Sequence, residues 1–372
     1  MNLYFDNGAT SFPKPPEVSK AVARYLDVDG APYGRSFYEK AFTVSSIVEE
    51  CRDQLASFCS IPNPERLTFT PNATFGINSV LKNFNFKHKK VLISPLEHNS
   101  VMRPLEYLRK RDGVQFEYLP AKKDGLIDID RIKVDKCDLV IISHMSNVNG
   151  VIQPIKELKK IIGETPILVD AAQSCGHVTI DVNSWGIDFL VLTGHKSLLG
   201  PTGTGALYSS DKYNLEPLLH GGTGSNSESI SMPQEYPDFF EAGTPNIAGI
   251  YGLNAALKNR PEPLHDRSSF CNLLKKLSSI DSIEIYSADD IARQGELFSI
   301  KHKEKSPSTF AFELYNIYGI QTRVGLHCAP VAHKYLKTSP EGTIRFALSP
   351  YHSGNDLDYL YSSIKSCSNN GK

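Results

Sequence analysis

The residues with the clearest chemical potential lie in DFLVLTGHKSLLGPTGTGALY, residues 188–208. Lys196 ends an apolar run and enters a glycine-rich turn, so its ammonium is held near buried surface, where desolvation favours the neutral amine. A neutral amine can form an imine with a carbonyl compound. Most lone lysines in loops are plain surface residues; the apolar run before this one and the glycines after it weaken that alternative without removing it. A second signal is ILVDAAQS, residues 167–174. Asp170 closes an otherwise apolar segment, where a carboxylate needs a cation such as a protonated pyridine nitrogen, unless it simply caps a following helix.

Four weaker signals surround this pair. In TPNATFGIN (70–78) a strand leads through small and hydroxyl residues into a helix, so the amides of Ala73 and Thr74 with the Thr74 hydroxyl offer a seat for phosphate, or merely cap the helix. His98 in SPLEHNS (94–100) follows a strand and could stack on a flat ring or just hydrogen-bond at a strand end. In RVGLHCAP (323–330), Cys328 sits between His327 and a proline turn, with Arg323 nearby; flexible glycine and basic neighbours suit a thiolate that moves and reacts, although a Cys beside a His is more often incidental. Arg345 in TIRFALSPYHS (343–353) would clamp a carboxylate if it faces a cleft, and would form a cross-strand ion pair if it does not.

These side chains need a scaffold that brings distant segments together. Short β-rich runs at 67–70, 91–94, 115–119, 139–143, 167–170, 189–192 and 205–208 alternate with helical stretches at 16–26, 41–58, after Thr74, at 99–110 and at 154–163. Several runs are apolar throughout, as in strands covered on both faces of a mainly parallel sheet, so the pattern predicts a three-layer α/β domain. Asp170 and Lys196 both fall at carboxyl ends of predicted strands, where such sheets bind ligands. Residues 221–246 are rich in Gly, Ser and Pro and read as a long ordered loop or lid, followed by a helix at 247–258. Beyond it a second α/β unit is predicted, with helices near 266–278 and 355–365 and strands at 283–286, 308–314 and 343–348, ending in a frayed polar tail, SCSNNGK.

Length and composition fit this arrangement. A chain of 372 residues exceeds one ordinary core. Hydrophobic residues at 40%, charged residues at 22% and a formal net charge of -1 describe a globular enzyme without a footprint for nucleic acid or for an anionic membrane. The amino terminus lacks a basic region followed by an apolar one, and no apolar run nears the roughly 20 residues that span a bilayer, so a cytoplasmic location is expected. The seven cysteines are an odd set with no CxxC, which argues against a disulfide framework and against a metal site, and leaves room for one reactive thiol among buried ones.

Taken in order, the segments YFDNGAT (4–10), GAPYGR (30–35), FTPNATFGIN (69–78), LEHNS (96–100), SHMSNVNGVIQP (143–154), VDAAQS (169–174), TGHKSLLGPTGTGALY (193–208), FEAGTPN (240–246), RVGLHCAP (323–330) and TIRFAL (343–348) resemble the cysteine desulfurase branch of the class V aminotransferases, in its cytosolic group with a short catalytic loop. The resemblance implies aminotransferase fold type I: a large three-layer α/β/α domain with a mainly parallel seven-stranded sheet, plus a smaller α/β domain, with the large domain at 15–255 and the small one formed by 1–14 and 256–372. It also implies a pyridoxal 5′-phosphate cofactor held as a Schiff base by Lys196. Asp170 would pair with the pyridinium nitrogen, His98 would stack on the ring, and Gln173 and Asn147 would contact the ring oxygen or the substrate region. Ala73, Thr74, Thr193 and His195 would hold the phosphate, and Thr244 would reach the partner subunit's cofactor in a homodimer. Arg345, with Arg323 nearby, would bind the substrate carboxylate, and Cys328 would accept sulfur from L-cysteine for transfer to an acceptor protein.

Two departures stand out. The stretch from Leu257 to about Lys305 looks shorter and more polar than the family's usual helical segment, and Leu326 precedes His327 where many relatives carry a second histidine. Competing readings are a selenocysteine lyase, another class V enzyme such as a transaminase or racemase-like protein, and a sulfur carrier with little turnover.

Overall fold

The computed structural model describes residues 1–34, 36–133 and 136–369, so Arg35, the last residue of the GAPYGR segment, lies outside the described residues. The apolar runs become β1 (Leu67–Thr70), β2 (Lys90–Ile93), β3 (Gln115–Tyr118), β4 (Leu139–Ser143), β5 (Ile167–Asp170), β6 (Phe189–Thr193) and β7 (Gly205–Ser209). They form a seven-stranded sheet in the order β1-β7-β6-β5-β4-β2-β3. Pairs from β3 through β6 are parallel, and β7 runs antiparallel to both β6 and β1.

Side-chain alternation explains the three layers. Val140, Ile142, Val169, Leu190 and Leu192 point into one core with Val44, Val48 and Leu55 of the Glu39–Phe58 helix. Their neighbours Leu139, Ile141, Leu168, Phe189 and Val191 point into the other, against Ile77 and Val80 of the Ala73–Asn83 helix and Leu105 and Leu108 of the Asn99–Asp112 helix. Strands β4, β5 and β6 are buried along their whole length, which is why their residues before the carboxyl-terminal Ser143, Asp170 and Thr193 are apolar without alternation.

The carboxyl-terminal part forms a second sheet from β8 (Ile283–Tyr286), β9 (Leu297–His302), β10 (Arg323–Gly325) and β11 (Thr343–Ala347), antiparallel throughout in the order β10-β11-β9-β8. Phe270, Phe298, Phe310 and Phe346 build its core, and Phe5 from the amino terminus packs among them. Two expectations fail here, and two strands were not foreseen. STFAFEL is helical within Pro307–Tyr318: the Ser306 side chain accepts from the Thr309 amide, Pro307 opens the helix and Gly319 closes it at φ 71°. Its aromatic and threonine content suggests a strand, but the caps and the buried set Phe310, Ala311 and Leu314 follow helical spacing. β9 was hidden by its polar members, Ser299, Lys301 and His302, and β10 by its length of three residues inside an apparent loop. The final helix does not fray at Ser366 but continues to Asn369, where the description ends.

As expected, 221–246 carries no helix or strand. It is nonetheless tethered. Arg52, 1% exposed on the Glu39–Phe58 helix, donates to the Leu67 carbonyl (2.6 Å) and to both carboxylate oxygens of Glu241 (2.7 and 3.2 Å), while Glu241 accepts from the Phe69 amide (2.6 Å). Among the described residues no helix is long and apolar enough to cross a membrane. Glu49 (3.0 Å from Arg52 Nε) remains beside the guanidinium, but the buried N–H groups that face Glu241 lose their acceptor, so Glu241→Ala should lower the unfolding free energy by about 1–3 kcal/mol, read as a shifted urea midpoint.

Candidate active site

The turn that presents Lys196 is fixed from both sides. β6 ends at Thr193, and Gly194 then approaches Thr204 so closely that a Cβ would lie 2.2 Å from its Oγ1. The Gly194 amide donates to Thr204 O and the Gly200 amide returns to Gly194 O, both at 2.8 Å. The His195 carbonyl accepts from the Ser11 amide (3.0 Å), Ser11 Oγ (3.1 Å) and Thr10 Oγ1 (3.2 Å), and the Ser197 carbonyl accepts from Arg260 Nη1 (2.9 Å). With both flanking peptides held, Lys196 lines the pocket at the carboxyl edge of the sheet.

Burial around the amine pulls its pKa down to about 8, against the attraction of Asp170 and with help from the Arg345 charge. Asp170 is 6% exposed at the end of β5; burial raises its pKa, while the Ala172 amide (2.9 Å), the Lys196 charge and Ser100 stabilise the carboxylate. His98 caps the Asn99–Asp112 helix, its Nδ1 accepting from the Ser100 amide at 3.0 Å, which leaves the ring proton on Nε2. Burial and the nearby Lys196 and Arg345 cations lower its pKa to about 4, so the imidazole is neutral at physiological pH.

Nine of the expected residues, Ala73, Thr74, His98, Asn147, Asp170, Gln173, Thr193, His195 and Lys196, line one open cavity of about 540 Å³. Ala73 and Thr74 are the first two residues of a helix, where amides have no partner within the helix, and the Asn72 side chain takes only the Phe75 amide (2.9 Å). Among the described residues His195 Nδ1 is buried without a partner. A helix start, a hydroxyl and an unpaired imidazole nitrogen on one side, with a carboxylate and a depressed lysine on the other, match the phosphate, the ring nitrogen and the aldehyde of pyridoxal phosphate in kind.

Four expected residues lie outside that cavity. Arg345 is buried on β11; its Nη1 donates to the Asn147 carbonyl (3.1 Å) and its Nη2 to Asp6 (3.0 Å), and its charge is felt at Lys196 and His98. Arg323 pairs in register with Arg345 on β10, yet it is exposed. Cys328 is the exposed thiol among cysteines that are buried or half-buried. It follows His327 in a turn where both residues take positive φ, 46° and 56°. The turn is pinned rather than loose: Asn147 Nδ2 donates to His327 O (2.7 Å), the Asn99 amide to Cys328 O (2.8 Å) and the Ala329 amide to Leu326 O (2.7 Å). His327 does not act as a cation beside the thiol. Its buried Nε2 faces Thr343 Oγ1 at 3.0 Å, and burial with the Arg345 charge brings its pKa to about 2. Thr244 lines a different, mostly apolar surface cavity with Phe69, Phe75 and Phe240.

Residue-by-residue reasoning passed over Glu97 and Ser143. Glu97 is fully buried, accepts from Ser94 Oγ (2.5 Å), Ser143 N (2.8 Å) and Ser143 Oγ (2.9 Å), and has its pKa raised to about 7 by burial, with the nearby Asp170 charge adding to the rise. An acid directly before His98 in LEHNS was the available signal.

The sequence profile of the family Aminotransferase class-V matches residues 3–360. The chain belongs to the class V aminotransferase family. Its relatives within the family include cysteine desulfurases. A probable cysteine desulfurase of Methanothermobacter thermautotrophicus is 35% identical over 96% of this chain and 93% of its own length, and the cysteine desulfurase of Enterobacter sp. is 30% identical over 98% and 93%. Among solved structures, the apo cysteine desulfurase of Thermococcus onnurineus NA1 superposes with a TM-score of 0.90 at 28% identity, covering 99% of this chain and 94% of that one. The desulfurase CsdA of Escherichia coli does so at 0.86 and 25% identity, covering 98% and 94%. The class V architecture, a large mostly parallel sheet with a smaller sheet beside it, is the one found here.

Since Asp170 holds the Lys196 pKa up and burial holds it down, Asp170→Asn should move it below about 8. The pH dependence of reductive methylation at Lys196 in cofactor-free protein measures this, and an unchanged or higher pKa would contradict it.

Proposed function

We propose that the protein is a pyridoxal-phosphate-dependent cysteine desulfurase that converts L-cysteine to L-alanine and leaves the sulfur on Cys328. The observation that carries this reading is the pinned, exposed Cys328 turn, which shares Asn147 with the buried arginine Arg345 and whose thiol is electrostatically linked to Lys196. Neither a transaminase nor a racemase has use for a presented thiol. Lys196 would carry the cofactor, with Ala73, Thr74, Thr193 and His195 around its phosphate, Asp170 at the ring nitrogen, Gln173 at the ring oxygen and His98 over the ring. When bound, that cofactor supplies an electron sink for the bond changes at the substrate's α-carbon.

The protein's own groups divide the remaining work. Arg345 is buried and cationic and would hold the substrate carboxylate, with Asn147 alongside. A lysine with a pKa near 8 can take a proton and return it close to neutral pH, so Lys196 is suited to move the α-proton and later to protonate the β-carbon. Neutral His98 keeps positive charge away from the ring face. Cys328 Sγ then attacks the substrate sulfur: the new S–S bond forms as the Cβ–S bond breaks, and Cβ keeps the electron pair and gains a proton. The product side is alanine, the enzyme side a persulfide awaiting a sulfur-acceptor protein.

The reading extends to a cytoplasmic homodimer in which Thr244 serves the partner subunit's site, and to a division into a large domain, 15–255, and a small one, 1–14 with 256–372. Support for the latter is the position of Phe5 in the small sheet's core. Arg323 keeps only an auxiliary place, as a second charge beside Arg345.

Replacing Cys328 by Ser should reduce alanine release from L-cysteine by orders of magnitude while the cofactor's visible absorbance stays as in the wild type. Full retention of cysteine turnover would refute the assigned nucleophile, and comparison with L-selenocysteine would show how far the thiol is needed for the weaker bond.

A further inference from the structure

The YFDNGAT segment has no part in the reaction as set out, yet it is built onto the site. Phe5 O accepts from the Ala347 amide at 2.8 Å, and Asn7 Nδ2 donates to Ala347 O at 3.0 Å and Tyr4 O at 2.9 Å. Asp6 itself bridges to Ala347, two residues beyond Arg345 on β11. The backbone of Asp6 is thus locked to the strand that bears the arginine, and its carboxylate accepts from Arg345 Nη2 at 3.0 Å.

Three contacts define the guanidinium. Asp6 takes Nη2, Asn147 O takes Nη1 at 3.1 Å, and the Gly8 backbone lies against the group so closely that a Cβ there would sit 3.0–3.1 Å from Cζ, Nε and Nη2. A planar guanidinium held at both Nη atoms has its plane and direction set. Each Nη keeps a second N–H, and Nε is buried and without a partner among the described residues. An unpaired buried donor is unfavourable and signals a missing acceptor. The two charges are also unequally shielded: Arg345 is 4% exposed and Asp6 18%. That asymmetry suits a counter-ion at the rim of a site better than a pair buried for stability.

We propose that Asp6 is a positioning residue for the substrate carboxylate, orienting Arg345 so that its unpaired N–H groups face the α-carboxylate of the amino-acid substrate. The inference rests on the assignment of Arg345 as the carboxylate clamp. The bond to Nη2 does the orienting; the negative charge of Asp6 opposes a second carboxylate and does not itself favour binding.

Asp6→Ala and Asp6→Asn separate bond from charge, because both remove the charge and only Asn keeps an oxygen at the Oδ1 position. In the cofactor-loaded enzyme, L-alanine affinity is measured by calorimetry and KM and kcat with L-cysteine. Asp6→Ala should weaken L-alanine binding and raise KM by about tenfold or more with kcat within about threefold of wild type, whereas Asp6→Asn should stay within about threefold in all three. Should Asp6→Ala not fold, Asp6→Ser, too short to reach Nη2, takes its place with the same expectation. Equal behaviour of the Asn and Ala variants, or wild-type alanine affinity in the Ala variant, overturns the proposal. Arg345→Lys is run in parallel. If it weakens alanine binding while Asp6→Ala does not, only the role of Asp6 fails; if it leaves alanine binding unchanged, the clamp assignment itself fails.

Discussion

A lysine and an aspartate face one another across the carboxyl edge of the large sheet, each in surroundings that disfavour its charge. Burial pulls Lys196 down and pushes Asp170 up, and each opposes the other's shift. The arrangement is stable only if neither group can move away to water, and much of the local structure serves that end. Four donors from the amino-terminal segment, on Thr10, Ser11 and Lys14, hold the His195 carbonyl and Arg260 holds the Ser197 carbonyl, while the parallel register that sets Ser143 beside Asp170 closes the site from β4. A pair held this way is primed for a ligand that brings both a carbonyl carbon and a basic ring nitrogen.

The Cys328 turn depends on a different constraint. Two consecutive residues other than glycine with positive φ, His327 and Cys328, store on the order of 1–3 kcal/mol each and persist only where surrounding bonds over-determine them. Asn147 and the Asn99 amide supply those bonds. Because Asn99 opens the helix capped by His98, and Asn147 also accepts from Arg345, the Cys328 turn, His98 and Arg345 are joined through single residues. Misplacement of any one would be felt by the other two.

Much of this was legible in the sequence, for physical reasons that differ by element. Strands buried on both faces, such as LVIIS and ILVD, are apolar at every position but the last and cannot be hidden by composition. Lys196 and Asp170 stood out because a charge at the end of such a run demands an explanation. The small sheet was harder. STFAFEL has strand composition but helix caps, and β9 carries Ser, Lys and His because its partners supply the burial. The character of the Cys328 turn was not legible either: Gly325 suggested freedom, whereas the pinning comes from Asn99 and Asn147, more than 170 residues away in sequence. Likewise no local pattern ties Asp6 to Arg345, since their contact is made by a bridge between the amino terminus and β11.

The central claim is that Lys196 bonds covalently to pyridoxal phosphate. Reconstitution with pyridoxal phosphate, reduction with borohydride and mass spectrometry of the resulting peptides test it directly. The account predicts a yellow protein whose colour is lost on reduction and a single phosphopyridoxyl adduct on the peptide containing Lys196. A protein that stays colourless, or an adduct confined to other lysines, would contradict it.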